Sequence, residues 1–437
     1  MELTKNKILS MRKEIEKKNS IFLEKKYLDA LFLPSNIIGR KDQAMQILEY
    51  FESLQYDLLV PVISVFGRSG SGKSTVVKFV CNNMQDLISF AFVNIRKART
   101  VFGCANMMLS ELGSEPCKSA DGLTRAVDTI GKKIKEILLE QNRRFFVLVL
   151  DEYDVIFYDK RGNPSDFMYK LLTLEENLRE ENLWLCIVTI SNNALVDYNL
   201  DDRVKSRMGN SEVFFDPYSE DNVLSILKDR AKKAFVLPPK DDVLLLCSKL
   251  SADSHGDARR AIDLLRTAGE CSNGKEITAD NVKTAYSIFQ RDRLDSIVKH
   301  ASQHQRNIIG AVCVNLLNLS GNSTTTSEIY EKYCKMVGKV ESLSYRRVVD
   351  LLVELVNTGL LSSRTISRGR KGYGTEYILL MPLDLVGLAV DESWWQKQLE
   401  NKKTDEILEE LKKKLRSNKD MRYSMGRSLL KYRNFMK

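Results

Sequence analysis

The chain has 437 residues, 43% hydrophobic and 29% charged, and 67 Lys and Arg against 58 Asp and Glu leave it with a net charge of +9. That length exceeds one ordinary hydrophobic core and implies roughly two to four domains; no apolar run is long enough to cross a bilayer, which excludes membrane spanning. The opening stretch MELTKNKILSMRKEIEKKNS holds no apolar signal core, so a cytoplasmic chain is expected.

The eight cysteines include no Cys-x-x-Cys and no histidines at zinc spacing, and are expected to be reduced thiols that fill cores. His300 and His304 lie one helical turn apart without a clustered carboxylate or thiol, and read as surface residues. The charge is uneven: residues 295–437 carry 24 Lys and Arg against 16 Asp and Glu, eight of the nine net charges. A local cationic excess attracts a polyanion such as nucleic acid, though a solvated surface gives the same count.

In chain order, PVISVFG reads as a short buried strand and KSTVVKFVCNNM as a helix, with GRSGSGKST, residues 67–75, between them. In a strand–loop–helix of this kind, glycines let backbone N–H groups curl around phosphate oxygens, and the helix N-terminus adds its dipole. Gly67, Gly70 and Gly72 would shape the loop, with Arg68, Ser69, Ser71 and Thr75 completing the run; Lys73 would reach the β- and γ-phosphates and Ser74 would bind Mg²⁺. RRFFVLVLDEYDVI then supplies a buried parallel strand at 145–150, with Asp151 and Glu152 at its C-terminal end, where ligands of such sheets bind. Asp151 could hold Mg²⁺ through water while Glu152 polarises the attacking water. LWLCIVTISNN is a further strand, ending at Ser191 and Asn192, whose amide could position that water or touch the γ-phosphate; a strand cap is the plainer reading. DYNLDDRVKSRMGNSEVFF brings Arg203, Lys205 and Arg207 ahead of a last short strand. HGDARRAIDLLRTAGE reads as a helix capped by Asp257, with Arg259 turned from its apolar face toward a bound triphosphate.

The C-terminal third has its own pattern. TTTSEIYEKYC opens with Thr325 and Glu328 at capping-box spacing. SLSYRRVVDLLVELVNTG follows with an apolar stripe at Val348, Leu351, Leu352 and Leu355, Ser344 as its cap, Gly359 as its stop, and Arg346 and Arg347 in its first turn. LLSSRTISRGRKGYGTEYILL then reads as two strands around a turn carrying Arg368, Arg370 and Lys371. Helix, helix and basic hairpin form the winged-helix pattern, whose second helix can enter a major groove while the hairpin meets phosphates.

With these motifs in place the chain resembles the AAA+ ATPases and, among them, the archaeal origin-recognition/Cdc-type (ORC/CDC) DNA replication initiators. IIGRKDQ, the phosphate loop, LDEYD, ISNN, LDDRVKSR, GDARRAIDLL and LSYRRVVDLLVEL run in that family's order over residues 30–385; SNN replaces the Ser-Asn-Asp of many relatives. The resemblance implies an α/β fold: an AAA+ P-loop base with a five-stranded parallel sheet and an N-terminal helical extension (residues 1–216), a helical lid (217–294), a winged-helix domain (295–390) and a basic helical extension (391–437). It further implies that Asn192 is sensor 1, Arg259 sensor 2 and Arg207 the arginine finger, with Arg203 able to share that role. Ile37, Ile38, Gly39 and Arg40 are placed near the adenine. Lys118, Arg125 and Lys132 are guesses at a DNA-contacting insertion. The implied activity is weak ATP hydrolysis switching an initiator that binds double-stranded origin DNA and helps recruit the MCM helicase, with self-association or a paralogue on DNA. A transcriptional or plasmid or viral maintenance regulator of the same architecture is the alternative; a clamp loader is disfavoured by the winged helix. Ile407, Leu408, Leu411 and Leu415 recur at helical spacing in the extension.

Overall fold

Two runs, FFVLVLD and WLCIVTIS, are buried at every position, as expected of strands covered on both faces. They are the centre of a sheet in the computed structural model, which describes residues 5–417 apart from positions 57, 59, 99, 160, 196–197, 210, 253–255, 319–321, 339 and 368–372. Two units divide the chain at Tyr286 and Ser287.

In the first unit the strands are β1 (Val62–Gly67), β2 (Ile88–Asn94), β3 (Phe145–Asp151), β4 (Trp184–Ser191) and β5 (Glu212–Phe215). All pair in parallel, in the order β2-β3-β4-β1-β5, the five-stranded sheet expected. Alternation divides the central strands between two cores. Phe146, Leu148 and Leu150 pack with Leu185 and Ile187 under helices Val101–Glu111, Gly122–Glu140 and Pro164–Glu180. Val147 and Val149 pack with Ile63, Val65 and Val188 under Lys41–Glu52 and Lys73–Asn83. Because β1 lies between β4 and β5, the chain reverses its direction across the sheet beside β1, and a crevice opens there at the strands' carboxyl ends.

The lid helices Glu220–Ala234, Asp241–Ala252 and Ala258–Cys271 follow. Ser219 and Asp257 cap the first and third through side-chain oxygens that accept the Asn222 and the Arg259 and Arg260 amides. Residues 21–32 pack against this lid. Leu23 N donates to Ala234 O (2.8 Å) and Val236 N to Ile21 O (2.9 Å), Phe22 stacks on Phe235, and buried Arg230 donates to Tyr27 O (3.1 Å) and Phe32 O (3.0 Å).

The second unit has the winged-helix order. Gln303–Asn318, Thr326–Val337 and Tyr345–Asn357 are its helices, and β6 (Ser323–Thr325), β7 (Leu361–Ser367) and β8 (Tyr373–Leu379) form an antiparallel sheet in the order β6-β8-β7. The capping box forms, with Thr325 N donating to Glu328 Oε2 at 2.7 Å, and Ser344 caps Tyr345–Asn357. β6 is a third strand beyond the two expected: its Ser-Thr-Thr gives no apolar signal, and it exists through pairing with β8. His304 Nδ1 meets the Tyr333 hydroxyl at 2.7 Å. The basic turn residues Arg368, Arg370 and Lys371 lie outside the described residues.

Helices Leu383–Val390 and Glu392–Ser417 end the described chain, the latter containing Ile407, Leu408, Leu411 and Leu415. Trp395, placed by the sequence division in the extension, is fully buried in the core of this unit. A Cβ on Gly387 would come within 2.2 Å of its ring. Among the described residues no helix is long and apolar enough to cross a membrane. Trp395→Ala should therefore lower the unfolding free energy of the second unit by about 3–5 kcal/mol, read by urea titration with amide exchange over residues 303–318; a loss under about 1 kcal/mol would mean that the final helix is not part of this core.

Candidate nucleotide site

Three strand ends are brought level by register. Phe66 of β1 pairs with Ser191 of β4, and Asp151 of β3 pairs with Ile190. The loop leaving β1, the carboxylates leaving β3 and the amide leaving β4 therefore meet at one edge.

Gly70 and Gly72 have φ of +77° and +93°, a left-handed region that favours glycine. The space beside them is small: a Cβ on Gly70 would lie 2.0 Å from Asp257 Oδ1, and one on Gly72 2.4 Å from the Tyr218 hydroxyl. Lys73 opens the helix Lys73–Asn83 and is buried. Its ammonium donates to Gly67 O (2.6 Å) and Arg68 O (2.9 Å). Burial lowers its pKa, opposed by the nearby Asp151 carboxylate. Asp151 is buried too, and burial raises its pKa against the hydrogen bonds it accepts from the Ser74 hydroxyl (3.1 Å) and the Glu152 amide (3.1 Å).

Glu152 has φ +60°, a strained position for a residue with a side chain. The Asn192 amide nitrogen donates to Asp154 Oδ2 at 3.1 Å. Asp154 is buried, and its other oxygen has no partner among the described residues. One cleft is lined by Lys73, Ser74, Asp151, Glu152, Asn192 and the lid's Arg259. A second, open space, sharing Gly70, Gly72 and Arg259 with it, is walled by Ile37, Ile38, Thr75, Ile226 and Ile262.

Other expected residues lie elsewhere. Gly39, Arg40, Arg68 and Ser71 line neither space; Arg40 is buried, bonded to Ser71 O and Asp216 O. Arg207 and Arg203 are on the helix Asp202–Met208. Arg207 pairs with Glu176 (3.3 Å) over the Tyr169 ring, and Arg203 with Asp201 (2.9 Å). Lys118, Arg125 and Lys132 are exposed, Arg125 paired with Asp121, on a segment whose helices cover the sheet. In the second unit Arg346 and Arg347 are exposed on the first turn of Tyr345–Asn357, with Arg347 3.7 Å from Asp350. Four further residues belong to the site: Asp154, Asn94 (Nδ2 to Asp151 Oδ2, 3.3 Å), Tyr218 and Arg230. LDEYD signals Asp154 by its third acidic residue, and a polar side chain ending a buried strand signals Asn94. Tyr218 and Arg230 acquire their places through the lid's packing.

A level row of strand ends, a glycine cradle at a helix N-terminus, a buried lysine and a hydroxyl–carboxylate pair define a P-loop nucleotide-binding domain, and the helical lid with its inward arginine defines the AAA+ class. Residues 63–213 match the family model of the ATPases associated with various cellular activities (AAA), 224–287 the Cdc6 AAA+ ATPase-type lid domain, and 296–389 the CDC6 C-terminal winged helix domain. The ORC1-type DNA replication protein 1 of Sulfolobus acidocaldarius is 32% identical over 390 residues, 86% of this chain and 94% of the relative. That of Methanothermobacter thermautotrophicus is 31% identical over 395 residues, 87% and 98% of the two chains. The structure of the Aeropyrum pernix ORC1 protein in complex with DNA superposes with a TM-score of 0.65 at 26% identity, covering 87% of this chain and 99% of that one. The chain belongs to the ORC1-type family of archaeal DNA replication proteins.

The strain at Glu152 is separable from its chemistry. Glu152→Gly should raise the stability of the first unit by about 1 kcal/mol, measured by urea unfolding; a lower midpoint would mean that the left-handed backbone is held there without cost.

Proposed function

We propose that the chain is an ATP-controlled DNA replication initiator, which binds origin duplex, hydrolyses ATP slowly, and helps recruit the replicative MCM helicase. The observation that carries this reading is the convergence of Lys73, Ser74, Asp151, Glu152, Asn192 and Arg259 on one cleft, in a chain of the ORC1-type family. The Aeropyrum pernix relative was solved with DNA, which supports duplex as the partner here.

The residues fit ATP with Mg²⁺. Gly70 and Gly72 hold the loop in the left-handed conformation in which successive backbone N–H groups can turn toward phosphate oxygens. No cluster of three or more His, Cys, Asp or Glu side chains suited to a metal occurs among the described residues, and Mg²⁺ commonly takes one or two protein groups together with substrate phosphates. Bound ATP supplies the electrophilic γ-phosphoryl group. Lys73 exchanges its loop carbonyls for the β- and γ-phosphates. Ser74 and Asp151 would hold Mg²⁺, which would neutralise the charge that develops on the phosphates. Glu152 orients the attacking water and accepts its proton, and Asn192, fixed through Asp154, positions that water. Arg259 brings the lid onto the phosphates, Ile37 and Ile38 border the adenine, and Arg207, which pairs with Glu176 and does not line its own cleft, serves a neighbouring copy. Arg346 and Arg347 enter the duplex groove, while Arg368, Arg370 and Lys371 meet phosphates.

Slow hydrolysis makes ATP a timer for the DNA-bound state, so binding and turnover must be separable. Lys73→Ala should abolish ATP binding, whereas Glu152→Gln should bind ATP like the parent and lose at least about 100-fold in single-turnover hydrolysis. Equal hydrolysis in Glu152→Gln and the parent would remove the glutamate from this role; undiminished ATP binding by Lys73→Ala would remove the cleft.

A further inference from the structure

Arg40 is a charged side chain with 4% of its surface exposed, and its guanidinium lies across two parts of the first unit. Nε donates to Ser71 O in the phosphate loop (2.9 Å), and a terminal nitrogen donates to Asp216 O (2.5 Å), just beyond β5 and four residues before the first lid helix. The Tyr218 ring covers the guanidinium at 3.9 Å, with Phe215 at 5.5 Å. A buried cation persists only where its donors are met, and a planar fork can bridge two carbonyls where a lysine's point charge cannot.

Tyr218 carries the connection further. Its hydroxyl fills the space a Cβ would take on Gly72, and its carbonyl fills the corresponding space on Gly256, beside Asp257, the cap of the Arg259 helix. The phosphate loop, the hinge into the lid and the start of that helix are therefore packed through one guanidinium and one ring. Arg40 itself lines neither the phosphate cleft nor the space walled by Ile37 and Ile38.

We infer that Arg40 is a positioning residue that, with Tyr218, ties the phosphate loop to the hinge of the lid, and that it does not read the nucleobase. The geometry makes nucleotide affinity depend on Arg40 through the loop's shape, so the loss on removing it falls on the phosphates whatever base they carry. Arg40→Lys fails to restore the link because one ammonium reaches one carbonyl at a time. Tyr218→Phe keeps the covering ring, and Tyr218→Leu removes it.

The test compares ADP and GDP affinities of the full chain with amide exchange of the nucleotide-free protein over residues 68–75 and 216–220. Arg40→Gln, Arg40→Lys and Tyr218→Leu should each weaken both nucleotides by at least about tenfold, leave the ADP-to-GDP preference within about twofold of the parent, and speed exchange in both segments together while the sheet strands stay protected. Tyr218→Phe, which keeps the ring but removes the hydroxyl that packs on Gly72 and bonds Arg40, should fall between the parent and Tyr218→Leu in affinity and in exchange and leave the ADP-to-GDP preference unchanged. A collapsed ADP preference with unchanged exchange would make Arg40 a base contact and overturn the inference; so would unchanged affinities, or exchange that rises throughout the unit. The inference rests on the cleft being an ATP site, and a parent that binds neither nucleotide would refute that reading, while the paired change in exchange would still decide for or against the link.

Discussion

One hydrogen bond, 3.1 Å from the Ser74 hydroxyl to the Asp151 carboxylate, joins segments 77 residues apart, and the rest of the site is arranged around it. It forms because β3, β4 and β1 are adjacent and in register, and that adjacency follows from the buried, β-branched runs that make up the strands. Gly67 completes the condition: its φ is +145°, and a Cβ there would meet the Phe215 carbonyl at 2.3 Å, so the chain leaves β1 flush against β5 and turns at once into the loop. The chemistry is thus a property of the sheet's centre, and the lid adds to an edge that the strands have already assembled.

Electrostatics leave this edge incomplete. Lys73 and Asp151 are both buried and both shifted against their charged forms, and the lysine's nearest bonds go to neutral carbonyls. Phosphates and a divalent cation would add opposite charge beside each, beyond the partial offset that Asp151 gives Lys73 and Arg259 gives Asp151. Asp154 is also incompletely satisfied, with one oxygen on Asn192 and the other unpaired among the described residues. Polar groups desolvated in this way weaken the unliganded state relative to the bound one.

Much of the architecture was legible because local signals agreed with the global fold. The apolar runs at 145–150 and 184–190 are strands at the sheet's centre, the capping box at Thr325 formed, and Ser344 and Asp257 cap the helices that begin beside them. Three features escaped. β6 is held by its partner strand and carries no pattern of its own. The packing of residues 21–32 on the lid depends on Phe22 meeting Phe235, a pairing across more than two hundred residues. Trp395 falls in the extension taken to begin at 391, past the resembling blocks, and its polar flanks, ESWWQKQLEN, give no sign of its burial against Gly387, whose lack of a side chain makes the space. At the site, the loop and carboxylates were legible from spacing, whereas Tyr218 and Arg230 were not, since their roles come from where the lid folds back. The resemblance sets Arg40 near the adenine, and its bonds to Ser71 O and Asp216 O had no signal in the sequence.

The central claim is that nucleotide governs the grip on DNA. It is tested most directly by measuring duplex affinity for origin DNA with ATP, with ADP and without nucleotide, over a salt series. The account predicts affinities that differ at least about fivefold between the ATP and ADP forms, with log affinity falling steeply against log salt in each. Identical affinities in all three states would contradict it, leaving the nucleotide as a structural ligand and the winged helix as an independent binder.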